Sequence, residues 1–304
     1  RSDMALGHLR VLDAVSCGGS TTFATLAGSV DDGSGPGDYS DNVDCYWHID
    51  LPSIANSITL DFTAMDVQPG DQVRVYDGAT TAAPLLGTFT GSTLPGSLTS
   101  SSRDLLLRFT TDGSGSSAGW AVDYQANVSA DVVYGYNAAD PTGQLPQGPV
   151  VFELASPDSI YLLADQSALS FLNGGCWVNG IWYAISYSDT TLVTVNPNTG
   201  DRTTVGPLGF GDRLHGMAFD HTTQTLYGVD FSGGLYIVNP ATGAATLVGS
   251  DPANQLYINL ACNAAGQLYA VDIASDQLYS IDKATGMGTA IGSIGFDANF
   301  AQDM

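Results

Sequence analysis

The amino-acid sequence predicts an all-β protein: a two-sheet sandwich followed by a row of units of four antiparallel strands. Three observations carry this. Short apolar–polar alternations recur along the chain, bounded by glycine, proline and aspartate turns, which is the pattern of half-buried strands. The composition holds 36 glycines in 304 residues together with abundant Thr, Ser, Val and Tyr, while nearly all its acid is aspartate, a poor helix former and a good turn residue. One motif begins at Leu192, Leu235 and Leu278, a constant spacing of 43 residues.

Charge narrows the function. The formal net charge is -23 with only 13% charged residues. Glu153 is the only glutamate and Lys283 the only lysine. Such a surface repels nucleic acid and anionic membranes, so neither is expected as a partner. No apolar run approaches the roughly 20 residues that span a bilayer, so no membrane insertion is expected. Cys17, Cys45, Cys176 and Cys262 show no CxxC pair and no histidine at ligand spacing, which disfavours zinc. An even count in a turn-rich β-protein points to disulfides and an extracellular or cell-surface setting.

The first half justifies the sandwich. Residues 57–62, 72–76, 105–109 and 120–124 alternate apolar and polar positions, separated by Pro69-Gly70, Asp77-Gly78, Pro95-Gly96 and a Gly/Ser cluster at 113–119. Tyr39-Ser40-Asp41-Asn42 precedes Cys45, Trp47 and Ile49. Ile58, Leu60, Phe62, Asp66, the Asp71–Gly78 stretch, Leu85-Leu86-Gly87, Phe89 and Gly91 follow. Phe109, Asp112, Gly119, Trp120 and Tyr124 close the series. In this order the residues resemble the CUB domain, with its Tyr-Pro-x-Asn and Cys-x-Trp-x-Ile signature, over Cys17 to Tyr124.

The resemblance implies a jelly-roll type sandwich over residues 17–128 and a first disulfide between Cys17 and Cys45. The second disulfide common in the family has no counterpart, since Thr90 stands where a cysteine would fall. It also implies a calcium site. Calcium-binding members use a Glu, an Asp and a second Asp from two loops at one end. By position these are Gln68, Asp71 and Asp112, with backbone oxygens near Gly113 and Ser114 completing the shell. Gln68 in place of Glu removes one negative charge, so the expected Ca2+ site is a weak one. In the family such an ion orders the loops that hold an extracellular protein, through its basic side chain, or a carbohydrate.

The second half justifies the repeated units. Leu192–Gly200, Leu235–Gly243 and Leu278–Gly286 each end on Asn/Asp-x-x-Thr-Gly, a hairpin in which the Asn or Asp side chain accepts turn N–H groups and Gly takes the positive-φ position. Gly180–Ile185, Thr225–Asp230 and Gln267–Asp272 form a second recurring strand. Four strands per period describe a β-propeller blade, and the repeats resemble those of bacterial extracellular propellers of the NHL, YncE and kelch-like groups. Complete units are expected at 173–213, 214–257 and 258–298, with 129–172 as a linker or degenerate blade. Residues 299–304 read as the start of another blade, so a fragment of a longer protein, or completion by another chain, is expected. Residues 1–16 form an N-terminal strand or linker. Cys176 and Cys262 fall at matching offsets two blades apart, so their pairing stays open.

No catalytic constellation emerges. Gly115-Ser116-Ser117-Ala118-Gly119 matches GxSxG but lies in a sandwich loop rather than at a strand-to-helix elbow. His8, His48, His215 and His221 show no ligand spacing. The expected function is a non-catalytic, calcium-stabilised binding or adhesion module of a larger secreted or surface protein. Two alternatives are a filament or surface-assembly subunit completed by strand exchange through Leu6, Leu9, Val11, Leu12 and Val15, and an accessory region of a secreted hydrolase.

Overall fold

The computed structural model describes residues 20–128, 131–138, 143, 145–252 and 255–298. Cys17, the segment 1–16 read as an exchangeable strand and the segment 299–304 read as a further blade start lie outside these residues. All regular elements among the described residues are strands, and the chain divides into two compact units, 1–133 with 152–160, and 134–151 with 161–304.

The first unit is a sandwich. Its strands are β1 (Ser20–Phe23), β2 (Ala27–Asp31), β3 (Asp44–Asp50), β4 (Ala55–Asp66), β5 (Gln72–Tyr76), β6 (Leu85–Phe89), β7 (Leu98–Thr99), β8 (Asp104–Thr110) and β9 (Gly119–Val128). One sheet runs β1-β3-β8-β5-β6 and the other β2-β9-β4-β7. Alternation decides which side chains enter the core: along β3, Cys45, Trp47 and Ile49 are buried while their neighbours are not. Ile58, Leu60, Leu105, Leu107, Val73, Val75 and Val122 supply the aliphatic body of that core. Trp120 is wedged edge-on against Trp47, with ring centroids 4.9 Å apart, and against Phe109 at 6.1 Å. A register shift between Phe62 and Ala64 bends β4 and keeps Met65 and Val67 facing inward near the loops.

The second unit opens with most of a three-stranded sheet, β10 (Val132–Asn137), β11 (Gly148–Glu153) and β12 (Tyr161–Leu162). Three four-stranded meanders follow. The first holds β13 (Leu172–Val178), β14 (Ile181–Ser186), β15 (Thr191–Val195) and β16 (Arg202–Pro207). The second holds β17 (Leu214–Asp220), β18 (Thr225–Asp230), β19 (Gly234–Val238) and β20 (Ala245–Ser250). The third holds β21 (Ala261–Cys262), β22 (Leu268–Asp272), β23 (Gln277–Ile281) and β24 (Gly288–Ser293). Each has the strand order of a blade.

The repeated hairpin behaves as its residues dictate. Asn196, Asn239 and Asp282 accept, through their side chains, the N–H two residues on, at 2.9, 2.9 and 2.7 Å. Their carbonyls accept the N–H of Gly200, Gly243 and Gly286, which sit at φ of 74°, 82° and 76°. Apolar clusters lie between successive sheets: Ile185, Leu192 and Leu208 meet Leu214, Met217 and Phe219, and Val229 and Leu235 meet Tyr257, Leu260 and Leu268.

Register distinguishes the two cysteines. Cys176 lies opposite Tyr183, but Cys262 lies opposite Leu268, and its neighbour Ala261 faces Tyr269. The two cysteines are therefore one residue out of equivalence, which in a strand means opposite faces. Cys176 packs between the first and second meanders and Cys262 between the second and third. Neither is in a disulfide.

Candidate functional site

One end of the sandwich gathers three loops, those joining β2 to β3, β4 to β5, and β8 to β9. The β4–β5 connection is Gln68-Pro69-Gly70-Asp71. Pro69 presets the first central position, Gly70 takes φ 109°, and the N–H of Asp71 donates to the Gln68 carbonyl at 3.1 Å, the geometry of a type II turn. Gly70 has a second reason to lack a side chain, because a Cβ there would overlap the Asp112 carboxylate.

This turn drives Asp71 inward, where it is fully buried. Its Oδ2 accepts the Tyr39 hydroxyl at 2.6 Å and its Oδ1 accepts the N–H of Asp112 at 2.7 Å. The same hydroxyl accepts the Gln68 N–H at 2.8 Å. Burial, and the hydrogen bond to Asp71, raise the Tyr39 phenol above its ordinary range, so it stays a donor. Asp112 is exposed; its Oδ1 accepts the N–H of Ser114 at 2.9 Å, and its main-chain oxygen accepts the N–H of Asn42 at 2.7 Å. Gln68 donates from Nε2 to Ser117 Oγ at 2.5 Å, while its carbonyl also accepts Thr90 Oγ1 at 3.0 Å.

The structure therefore brings Gln68, Asp71 and Asp112 to one end of the sandwich, with Gly113 and Ser114 on the same loop as Asp112. The donor set is two carboxylates, one amide and main-chain oxygens, all hard oxygen ligands of the kind calcium takes. Among the described residues no three acidic, histidine or cysteine side chains come together at metal-holding spacing. The residues fit a calcium ion held with two negative charges, and they do not fit a soft transition metal.

Two residues of this end escaped the sequence reading. Tyr39 stood in the signature without a role, yet it joins Asp71 to Gln68. Asp32 is buried, and its carboxylate accepts the N–H groups of Trp120 and Ser34 at 2.7 and 2.8 Å. Gly119, at φ 84°, leaves the space that this carboxylate fills. A buried aspartate beside a positive-φ glycine on another strand has no local sequence signal.

The other motifs resolve into structure. Ser117 is buried under Gln68, and its loop leads into strand β9 rather than a helix. His48 on β3 lies 3.0 Å from Asp104. His221 rests edge-on against Phe219, and His215 lies between Tyr187 and Phe231, where burial lowers its pKa.

Comparisons with known proteins meet this geometry in the first unit. The family model for the CUB domain matches residues 17–124. Human cubilin is 37% identical over 100 residues, covering 31% of this chain and 3% of cubilin. Ovochymase of Halocynthia roretzi is 36% identical over 128 residues, covering 37% of this chain and 8% of that protein. Multiple epidermal growth factor-like domains protein 8 of Mus musculus is 35% identical over 121 residues, 40% of this chain and 4% of that one. The chain thus spans a small part of each of these relatives. Among solved structures, the MASP-1 CUB2 domain bound to Ca2+ is 24% identical, covers 35% of this chain and 97% of its own, and has a TM-score of 0.32. A structural genomics protein from Bacteroides thetaiotaomicron VPI-5482 is 16% identical over 72% of this chain and 64% of its own, with a TM-score of 0.37. No helix among the described residues is long and apolar enough to cross a membrane. The family model and the cubilin match together support a CUB domain at residues 17–124.

Proposed function

We propose that the first unit is a calcium-stabilised extracellular binding module, and that the loop end around Asp71 and Asp112 is where it meets its partner. The observation that carries this is the joining of Asp71 and Asp112 through the Asp112 N–H, beside Gln68. Asp71, Asp112, the Gln68 side-chain oxygen and main-chain oxygens of Gly113 and Ser114 would hold the ion, which when bound supplies positive charge that ties the β4–β5 and β8–β9 loops together. Asp38, Asp41, Asp66 and Asp112 are exposed around this end. An acidic rim suits a partner that presents a lysine or arginine, or a sugar bridged by the ion, and makes the encounter salt-sensitive. A Cys17–Cys45 bridge belongs to the same reading, closing the chain that leads into β1. The second unit, read as propeller blades, serves as a scaffold.

The test is calcium itself. With only two carboxylates, affinity falls in the weak extracellular range, about 10⁻⁴–10⁻³ M. At a tenfold excess over Kd the ion adds about 1.4 kcal/mol to the stability of the first unit. Adding calcium raises its melting temperature, chelation reverses the rise, Asp112→Ala abolishes the response, and Gln68→Glu strengthens it by restoring an anionic ligand. A first unit whose melting and calorimetric titration ignore calcium, in the parent and in Gln68→Glu alike, overturns the proposal.

A further inference from the structure

Each junction between successive sheets of the second unit is built alike. At the first, Gly200 of the β15–β16 hairpin lies on Pro149, Leu163 and Ala164, and Arg202 donates to Gln166 Oε1 and to the Ser170 carbonyl, both at 2.6 Å. At the second, the Thr242–Gly243 turn lies on Gly206 so closely that a Cβ on Gly206 would overlap the Thr242 carbonyl, and Ala245 N–H donates to the Leu208 carbonyl at 2.8 Å. At the third, the Thr285–Gly286 turn lies on Gly249 in the same way, and Gly288 N–H donates to Asp251 Oδ2 at 2.9 Å. Register makes these positions equivalent. Arg202, Ala245 and Gly288 face Val195, Val238 and Ile281, while Gly206, Gly249 and Gly292 face Leu192, Leu235 and Leu278.

Burial follows the same repeat until the third meander. Tyr183 and Leu192 are buried beneath the second meander, and Tyr227 and Leu235 beneath the third. Val205 and Val248 pack against those two clusters. In the third meander Tyr269 and Leu278 are only half-buried, and Ile291, the counterpart of Val205 and Val248, is 55% exposed. Nothing among the described residues lies within 4 Å of the place a Gly292 Cβ would occupy. Phe210, four residues after Gly206, stacks on Tyr236 of the next meander at 4.4 Å and 14°. Phe296, four residues after Gly292, is 64% exposed.

We propose that this face, formed by Tyr269, Leu278, Ile291, Gly292 and Phe296, is a docking surface for a further unit of the same repeat. Its Thr-Gly turn seats on Gly292, and its leading face brings an apolar set equivalent to Leu214, Met217, Phe219 and Leu226. The occupant is named by continuity with the two junctions between meanders: the same tyrosine, leucine, β-branched residue and glycine are covered there by the next meander and by its hairpin. A second copy of this face set against itself offers no such turn. The inference rests on reading the repeats as blades and is independent of the calcium loops, so either can fail alone.

The experiment extends the chain past Met304 with a second copy of residues 214–257 and compares urea unfolding of the parent and extended chains, each with Ile291→Asp or Val248→Asp. Docking gives the extended chain one transition with a larger m-value, because more surface is exposed on unfolding. Ile291→Asp then leaves the parent midpoint in place and lowers that of the extended chain, while Val248→Asp lowers both. An appended copy that unfolds separately, with Ile291→Asp silent in both chains, overturns the proposal. So does a parent chain that is dimeric by light scattering and made monomeric by Ile291→Asp, which would assign the face to a second copy.

Discussion

Replacing Lys283 with methionine tests how the second and third meanders are held together. Asp220, the last residue of β17, has a fully buried side chain, and the only lysine of the protein reaches it from the β23–β24 hairpin at 2.6 Å. Asp220 also accepts Thr222 N–H at 2.8 Å, Thr222 Oγ1 at 2.7 Å and Thr223 Oγ1 at 2.8 Å. Breaking a buried pair by removing one partner costs about 3–5 kcal/mol. Lys283 keeps 30% of its side-chain surface exposed and three donors remain on Asp220, so the low end, about 3 kcal/mol, applies here. For a unit of this size that lowers Tm by about 6–12 °C. The pH dependence has a definite sign. Burial alone would raise the Asp220 carboxyl, but the hydrogen bonds from Lys283, Thr222 and Thr223 outweigh it and hold the group well below the usual carboxylate range. The folded pKa is thus lower than the unfolded value of about 3.9. The stabilisation is fully present above that pH and is lost as pH falls through the folded value. Calorimetry of parent and Lys283→Met at pH 7 should show the full gap, and the gap should shrink below pH 4. Asp220→Asn with Lys283→Met should recover part of the loss by removing the unpaired charge. A Lys283→Met change within about 0.5 kcal/mol of the parent at pH 7, the range of an ordinary surface substitution, would refute the reasoning.

Further outcomes follow from single contacts. Gly119→Ala should destabilise the first unit by more than about 2 kcal/mol, since it combines a left-handed φ with displacement of the Asp32 carboxylate; urea unfolding beside the open-space control Gly96→Ala reads the difference. Alkylation of the unfolded, non-reduced chain followed by mass spectrometry should modify Cys176 and Cys262 and spare Cys17 and Cys45 until reductant is added. In the native protein Cys262 should react slowly at neutral pH, because burial raises its thiol pKa. Labelling of all four cysteines without reductant would remove the Cys17–Cys45 bridge.

Period and turn chemistry are local properties, and they were legible in the chain. The alternation along β3, β4, β5, β8 and β9, the 43-residue spacing and the Asn/Asp-x-x-Thr-Gly hairpin each depend on residues a few positions apart, so sequence order alone determined the strands, the sandwich and the four-stranded units. Gln68, Asp71 and Asp112 could be singled out because an ordered series of motifs places them, not because any contact was visible. Contacts between distant segments were decided by the tertiary structure. Tyr39 becomes the donor to Asp71 only when the β2–β3 loop folds over the β4–β5 turn, and Asp32 finds Trp120 from 88 residues away. A one-residue difference in register separates Cys176 from Cys262, because strand side chains alternate and offset counting from the next strand cannot see the connection between them. Ile291 reads like Val205 and Val248 in the repeat; what lies over it, and hence whether it is core or surface, is a property of the neighbouring sheet.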